Sequence, residues 1–197
     1  QVSELFSRLS THLSMHTVPA VLAESTTFAE LEDRGWLLCN ESGEAHVFPG
    51  VPATGGKDFG LLDLTHRDTL NVWSERHRHL VEDGVGATAC DARFEIPDGV
   101  IARGGETGAV LRSLYPALAR KALFDAAAGH KVPPEGVVFS SDLFAGAQRQ
   151  LWQAPPRVPN TWAGLQRTLR NALSIGASGV AVQLHAIGNS EADVAEM

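Results

Sequence analysis

Short apolar runs alternate with amphipathic stretches along this chain. Residues 13–22, 86–94, 136–140 and 179–185 each read as a strand, with a weaker one near Leu151, because apolar runs of this length bounded by polar or special residues suit buried strands. Between them, residues 67–82 place Leu70, Trp73, His77 and Leu80 on one stripe and leave Arg76, Arg78 and Glu82 to solvent, the period of a half-buried helix. Asp83-Gly84 closes that helix. Residues 111–128, rich in Ala and Leu, predict a second helix. Residues 161–175 predict a third, capped by Asn160 or Thr161 and ended by Gly176. In it Trp162, Leu165 and Leu169 share a helical spacing that predicts core.

Strands alternating with helices make an α/β fold built on a parallel sheet. The Gly and Pro cluster at 49–60 is too polar and too broken for a regular element, and is expected as a long loop following a strand. In barrels, loops of that kind carry binding groups.

Composition narrows the partners. The 197 residues, 44% hydrophobic and 20% charged, suit one domain over 1–197. Sixteen Lys and Arg stand against 23 Asp and Glu, a net charge of −7, and no basic run interleaves with aromatics; nucleic acid is not an expected partner. No apolar stretch approaches the roughly 20 residues of a spanning helix, so no membrane is expected either. The first residues lack a basic stretch followed by an apolar core. A cytoplasmic location is the expectation if no N-terminal segment is missing, and the opening Gln1 points to a processed, excised or incomplete sequence. Cys39 and Cys90 match no CxxC or zinc-type spacing, so buried free thiols are expected, with neither disulfide nor metal. No Gly-rich phosphate loop opens a helix, and no cofactor is expected.

Several segments carry a resemblance. The stretch Gly84-Val-Gly-Ala-Thr-Ala-Cys-Asp91-Ala-Arg-Phe-Glu-Ile-Pro97 runs through a strand to an Asp followed by an Ile-Pro pair. Upstream lie Arg34-Gly35-Trp36-Leu37-Leu38, Asn40-Glu-Ser-Gly43-Glu44, Phe48-Pro49-Gly50 and Leu62-Asp63-Leu64-Thr65 with Trp73. Downstream lie Ser113-Leu-Tyr115, Phe144-Ala-Gly146-Ala-Gln148-Arg149, Trp162-Ala-Gly-Leu165, Leu173-Ser-Ile-Gly176-Ala-Ser178-Gly179 and Gln183-Leu-His185-Ala186-Ile187-Gly188. In this order and spacing they resemble the catalytic barrel of glycoside hydrolase family 31, the family of α-glucosidases and α-xylosidases, from about Leu13 to Gly188.

The resemblance implies a partial (β/α)8 TIM-type barrel, roughly strands 3 to 7 with their helices, and a retaining α-glycosidase acting on O-glycosyl bonds of α-linked sugars. Strands one, two and eight are then expected outside this sequence, and remaining barrel segments or a second copy of the chain would cover the open edges. A retaining mechanism needs two carboxylates, a nucleophile and an acid/base. By the resemblance Asp91 takes the nucleophile position, and Arg157 falls on the acid/base position. An arginine holds its proton to above about pH 12 and cannot serve there near neutrality. Ser141 stands where the family has a sugar-binding Arg, Ala186 where it has a sugar-binding Asp, and Phe94 where it often has Glu. His185 and Trp152 are further candidates for contact with a carbohydrate, while Asp142, Glu95 and Asp98 are nearby carboxylates that could stand in for the acid. The alternative is a catalytically inactive barrel that serves as a carbohydrate-binding or protein-interaction module.

Overall fold

The computed structural model describes residues 13–128, 137–144, 146–149, 152–154 and 158–185. Its centre is a five-stranded sheet in the order β1 (Leu13–Thr17), β4 (Val85–Cys90), β5 (Val137–Ser140), β6 (Trp152–Gln153) and β7 (Val182–Gln183). All four pairings are parallel. Parallel neighbours need crossovers, and helices α2 (Arg67–Glu82), α3 (Gly108–Ala128) and α4 (Trp162–Ala177) lie in the connections that precede β4, β5 and β7. This is the α/β architecture expected, a partial barrel seen as an arc of parallel strands.

The run at 13–22 does not form one strand. It breaks at Val18-Pro19, and Ala20–Leu22, strand β2, turns away to pair antiparallel with β3 (Phe59–Leu61). Pro19 has no N–H to give a ladder, but its carbonyl accepts from the N–H of Leu62 at 3.1 Å. The cluster at 49–60 is likewise more ordered than a loop. Pro52–Thr54 form a 3-10 turn, the Thr54 hydroxyl donates to the carbonyl of Val51 at 2.9 Å, and β3 closes the segment. Between β2 and that turn lies helix α1 (Thr26–Asp33), capped by the Ser25 hydroxyl, which accepts from the N–H of Phe28 at 3.2 Å.

The core lies where the sheet, α2, α3 and the antiparallel β2–β3 pair meet, around Leu37, Leu38, Phe59, Leu61, Leu64, Ile96, Leu111, Tyr115 and Leu123. Tyr115 is fully buried, and its hydroxyl faces the carbonyls of Leu62 (2.8 Å) and Pro19 (3.2 Å), tying α3 to the end of the β2–β3 pair where β2 begins and β3 ends. Burial raises its pKa well above the ordinary phenol value, so it is a donor at all physiological pH. Asp63, also fully buried, accepts at one oxygen from the N–H (3.0 Å) and hydroxyl (2.6 Å) of Thr65, and at the other from the N–H of Arg103 (2.7 Å).

Two expectations about α4 fail. The helix runs through Gly176 and stops at Ser178, with Gly179 at φ +92° as the left-handed terminator. Its apolar stripe is not core: Trp162 is 71% exposed and Leu173 76%, with Leu165 and Leu169 exposed between them. Spacing shows that a helix has an apolar face, but not that another element covers it. Both cysteines are free, Cys90 buried and Cys39 half-buried. Among the described residues no helix is long and apolar enough to cross a membrane.

Candidate active site

Parallel pairing brings the C-terminal ends of β1, β4 and β5 side by side, so the residues that leave those ends form one rim. In barrels that end of the sheet presents the catalytic groups. Asp91 leaves β4 directly. Its N–H bonds the carbonyl of Thr17 at 3.3 Å, one more rung of the β1–β4 ladder, which fixes the backbone beneath the carboxylate. The carboxylate is about half exposed, and Oδ2 lies 2.9 Å from Nε2 of His16 on β1. A carboxylate only accepts, so His16 donates from Nε2.

Two residues later on the same rim, Arg93 donates from Nε to Oδ1 of Asp142 at 3.2 Å. Asp142 is buried, its second oxygen 3.2 Å from the Ser140 hydroxyl, its N–H bonded to the same hydroxyl at 3.0 Å, and its carbonyl 3.1 Å from Nη1 of the buried Arg120. Arg120 also donates to the side chain of Gln153 at 3.1 Å and to the carbonyl of Trp152. One guanidinium thus fastens the ends of β5 and β6 to α3. Burial, with Asp142 and Asp91 close by, drives the Cys90 thiol far above its usual pKa, which leaves it neutral and unreactive.

Asp91, Arg93 and Ser141 face a cleft of about 990 Å³. Phe94, Glu95, Ile96, Pro97 and Asp98 continue its floor, with Arg112, which bonds Asp98 (2.7 Å) and the carbonyl of Ile96 (2.6 Å). The rest of the lining, a largely apolar wall, is His46, Phe48, Pro49, Val51, Pro52, Ala53 and Phe59. The rings there touch: Phe48 stacks on Phe59 with centroids 5.4 Å apart, and Phe94 meets Phe59 at a tilt, also at 5.4 Å. Burial lowers the pKa of His46, so this wall is uncharged at neutrality. A cleft with one apolar aromatic wall and one rim of carboxylates and guanidinium groups suits a ligand with an apolar face and a polar edge.

Of the site positions singled out in the sequence, the cleft brings Asp91, Phe94 and Ser141 together. Trp152 sits on β6 and His185 just beyond β7, exposed, and neither is among the lining residues. Arg157 and Ala186 lie outside the described residues. Among the candidate stand-ins for the acid, Glu95 and Asp98 line the cleft, while Asp142 is committed to Arg93 and Ser140. Sequence reasoning missed His16, Arg93 and His46. Nothing local marks them, because they meet the site only through the β1–β4 register and the fold of the 49–60 segment.

The sequence matches the family model described as the glycosyl hydrolases family 31 TIM-barrel domain over residues 1–196. The chain belongs to glycoside hydrolase family 31. Solved family 31 structures share its fold. A sulfoquinovosidase from E. rectale, in complex with an aza-sugar inhibitor, superimposes with a TM-score of 0.83 at 16% identity over 96% of this chain and 29% of that one. The cycloalternan-forming enzyme of Listeria monocytogenes, bound to a pentasaccharide substrate, gives 0.78 at 20% identity over 93% of this chain and 18% of that one. A Flavobacterium johnsoniae dextranase complexed with glucose gives 0.78 at 16% identity over 93% and 24%. The chain therefore spans less than a third of each of these family 31 proteins. Among its described residues, no group of three or more His, Cys, Asp or Glu side chains is placed to hold a metal ion.

Proposed function

We propose that the cleft takes an α-linked glycoside and that Asp91 is the nucleophile of a retaining glycosidase whose acid/base step is impaired. The observation that carries this reading is the placement of Asp91. It stands at the C-terminal end of a central strand, half exposed, with its backbone held by the ladder and its carboxylate turned to a cleft of sugar size. The family 31 proteins of similar fold are described with a glucose, a pentasaccharide substrate or an aza-sugar inhibitor, and the half-buried ring of Phe94 in the cleft lining, backed by the buried Phe59, offers an apolar surface to such a ring.

In this reading a carboxylate oxygen of Asp91 attacks the anomeric carbon as the glycosidic C–O bond breaks, which forms a glycosyl ester that water later cleaves. The departing oxygen needs a proton. Arg157, at the position the resemblance gives to the acid, has none to lend near neutrality. Glu95 and Asp98 are the other carboxylates that line the cleft, Asp98 paired with Arg112. Ordinary alkyl glycosides are therefore turned over slowly, and substrates whose leaving group needs no proton react faster.

The test is intact mass after incubation with 5-fluoro-α-glycosyl fluorides. Fluoride departs without protonation, and the glycosyl ester accumulates. An adduct that maps to Asp91 and is absent in Asp91→Ala supports the reading. A folded protein that gains no mass overturns Asp91 as a nucleophile. If that protein still binds the sugar, the chain is a carbohydrate-binding barrel without turnover, the reading that Ser141 and Ala186 favour.

A further inference from the structure

Arg93 is held in an unusual way for a rim arginine. Its Nε is spent on Asp142, a carboxylate only 5% exposed that is itself fixed by Ser140 and, through its carbonyl, by Arg120. The rest of the side chain is 66% exposed, and among the described residues its two terminal nitrogens make no hydrogen bond. A guanidinium pinned at Nε keeps four N–H donors in a rigid planar fork. That fork lies on the wall of the same cleft as Asp91, two residues along the same rim.

We propose that Arg93 is a specificity-determining residue of the cleft, donating from Nη1 and Nη2 to adjacent hydroxyls of a neutral sugar, with Asp142 as its positioning residue. The inference rests on the reading of the cleft as a glycoside site. Charge decides between a neutral and an anionic ligand. Asp91, Glu95 and Asp98 line the cleft and Asp142 stands behind Arg93, four carboxylates against the two guanidinium groups of Arg93 and Arg112, leaving a formal −2. A uronate or sulfonate would meet that field unfavourably, while a hydroxyl pair accepts from the fork at no such cost. Asp142 also separates this role from that of a surface charge. An exposed ion pair fixes neither partner strongly, whereas here the anchor is buried and bonded on three sides, so ordering the arginine is largely complete before a ligand arrives.

The experiment follows adduct formation by 5-fluoro-α-D-glucosyl fluoride against its concentration, which separates half-saturation from the limiting rate, in the wild type, Arg93→Ala, Arg93→Lys and Asp142→Asn, with thermal midpoints measured alongside. Arg93→Lys keeps a cation beside Asp142 but cannot bond it and present a fork together. The expected result is a half-saturation concentration raised roughly ten- to a hundredfold in Arg93→Ala and Arg93→Lys, the loss of one or two charge-assisted hydrogen bonds. The limiting rate should change by less than about threefold and the midpoint of Arg93→Lys should not move. A smaller rise in Asp142→Asn supports the positioning role. Wild type that labels, with unchanged half-saturation in both Arg93 variants, overturns the assignment and leaves Asp91 standing. So does a rise seen only in variants that melt early, and so does tighter binding of the glucuronyl analogue. Wild type that fails to label at any concentration overturns the glycoside reading and Arg93 with it.

Discussion

At the scale of single residues, the molecule relies on a few buried polar side chains whose every partner is named by geometry. His77 is one. Its Nδ1 lies 2.7 Å from the carbonyl of Trp73, so that nitrogen carries the proton, and Nε2 accepts from the Thr17 hydroxyl at 3.0 Å. Burial lowers its pKa, with nearby Arg76 acting the same way and the Trp73 bond opposing. The folded pKa is below the unfolded value of about 6.5, so the unfolded chain takes the proton first as pH falls. The stability contributed by neutral His77 is complete above about pH 6.5 and is lost as pH drops toward the folded pKa, with a slope of at most about 1.4 kcal/mol per pH unit for one proton. Urea denaturation between pH 8 and pH 5 should show this slope, reduced in His77→Gln; equal slopes would remove His77 from the account. Asp63 gives a second prediction. All of its bonds are accepted ones, and Asn in its place turns an N–H pair toward either Arg103 or Thr65. Asp63→Asn should lower stability by about 1–3 kcal/mol, measured by the same denaturation, whereas a neutral result would mean the turn can re-form around the amide.

At the scale of elements, helix α4 is the one held mostly by its own ends. The Thr161 hydroxyl caps it by accepting from the N–H of Gly164 at 3.1 Å, and Gly164 is in turn pressed against the carbonyl of Pro159, where a Cβ would sit 1.9 Å away. Thr161→Ala should cost about 1 kcal/mol and Thr161→Ser much less, read as faster amide exchange across α4. Equal protection in both variants would show that something other than the cap holds the first turn. Three of the four helices among the described residues, α2, α3 and α4, were legible in the sequence, whereas α1 was not expected. The stripe of Trp73 and His77, the cap at Thr161 and the turn at Gly84 each state a local preference that packing upheld. Less legible was what depends on a partner far along the chain. Pro19 could be seen in the sequence, but that the strand would break there and reappear in a second sheet depends on Leu62 and on Tyr115, from just past β3 and from α3. The site divides in the same way. Asp91 was marked by its own neighbours in sequence, whereas His16 and Arg93 acquire their meaning from the register with β1 and from Asp142, just past the end of β5.

At the scale of the whole molecule, the arc of five strands ends at β1 on one side and β7 on the other, and among the described residues neither outer edge is paired. Beside the β7 end stands the uncovered apolar stripe of Trp162, Leu165, Leu169 and Leu173. Open parallel edges and a bare apolar stripe are both features that soluble proteins ordinarily cover or blunt, and this chain spans less than a third of the family 31 structures it resembles. The cost of leaving the stripe bare can be measured apart from the fold. Burying a large apolar side chain contributes about 1.5–3 kcal/mol, and a side chain already in water contributes little of that. Replacing Trp162, Leu169 and Leu173 together by Gln should therefore change the unfolding free energy by less than about 1.5 kcal/mol, within the usual range for three surface substitutions. The same change should lower the binding of an apolar dye and reduce self-association in sedimentation. Loss of several kcal/mol would mean that the stripe is covered in solution, and dye binding that persists would move the exposed apolar surface to the sheet edges.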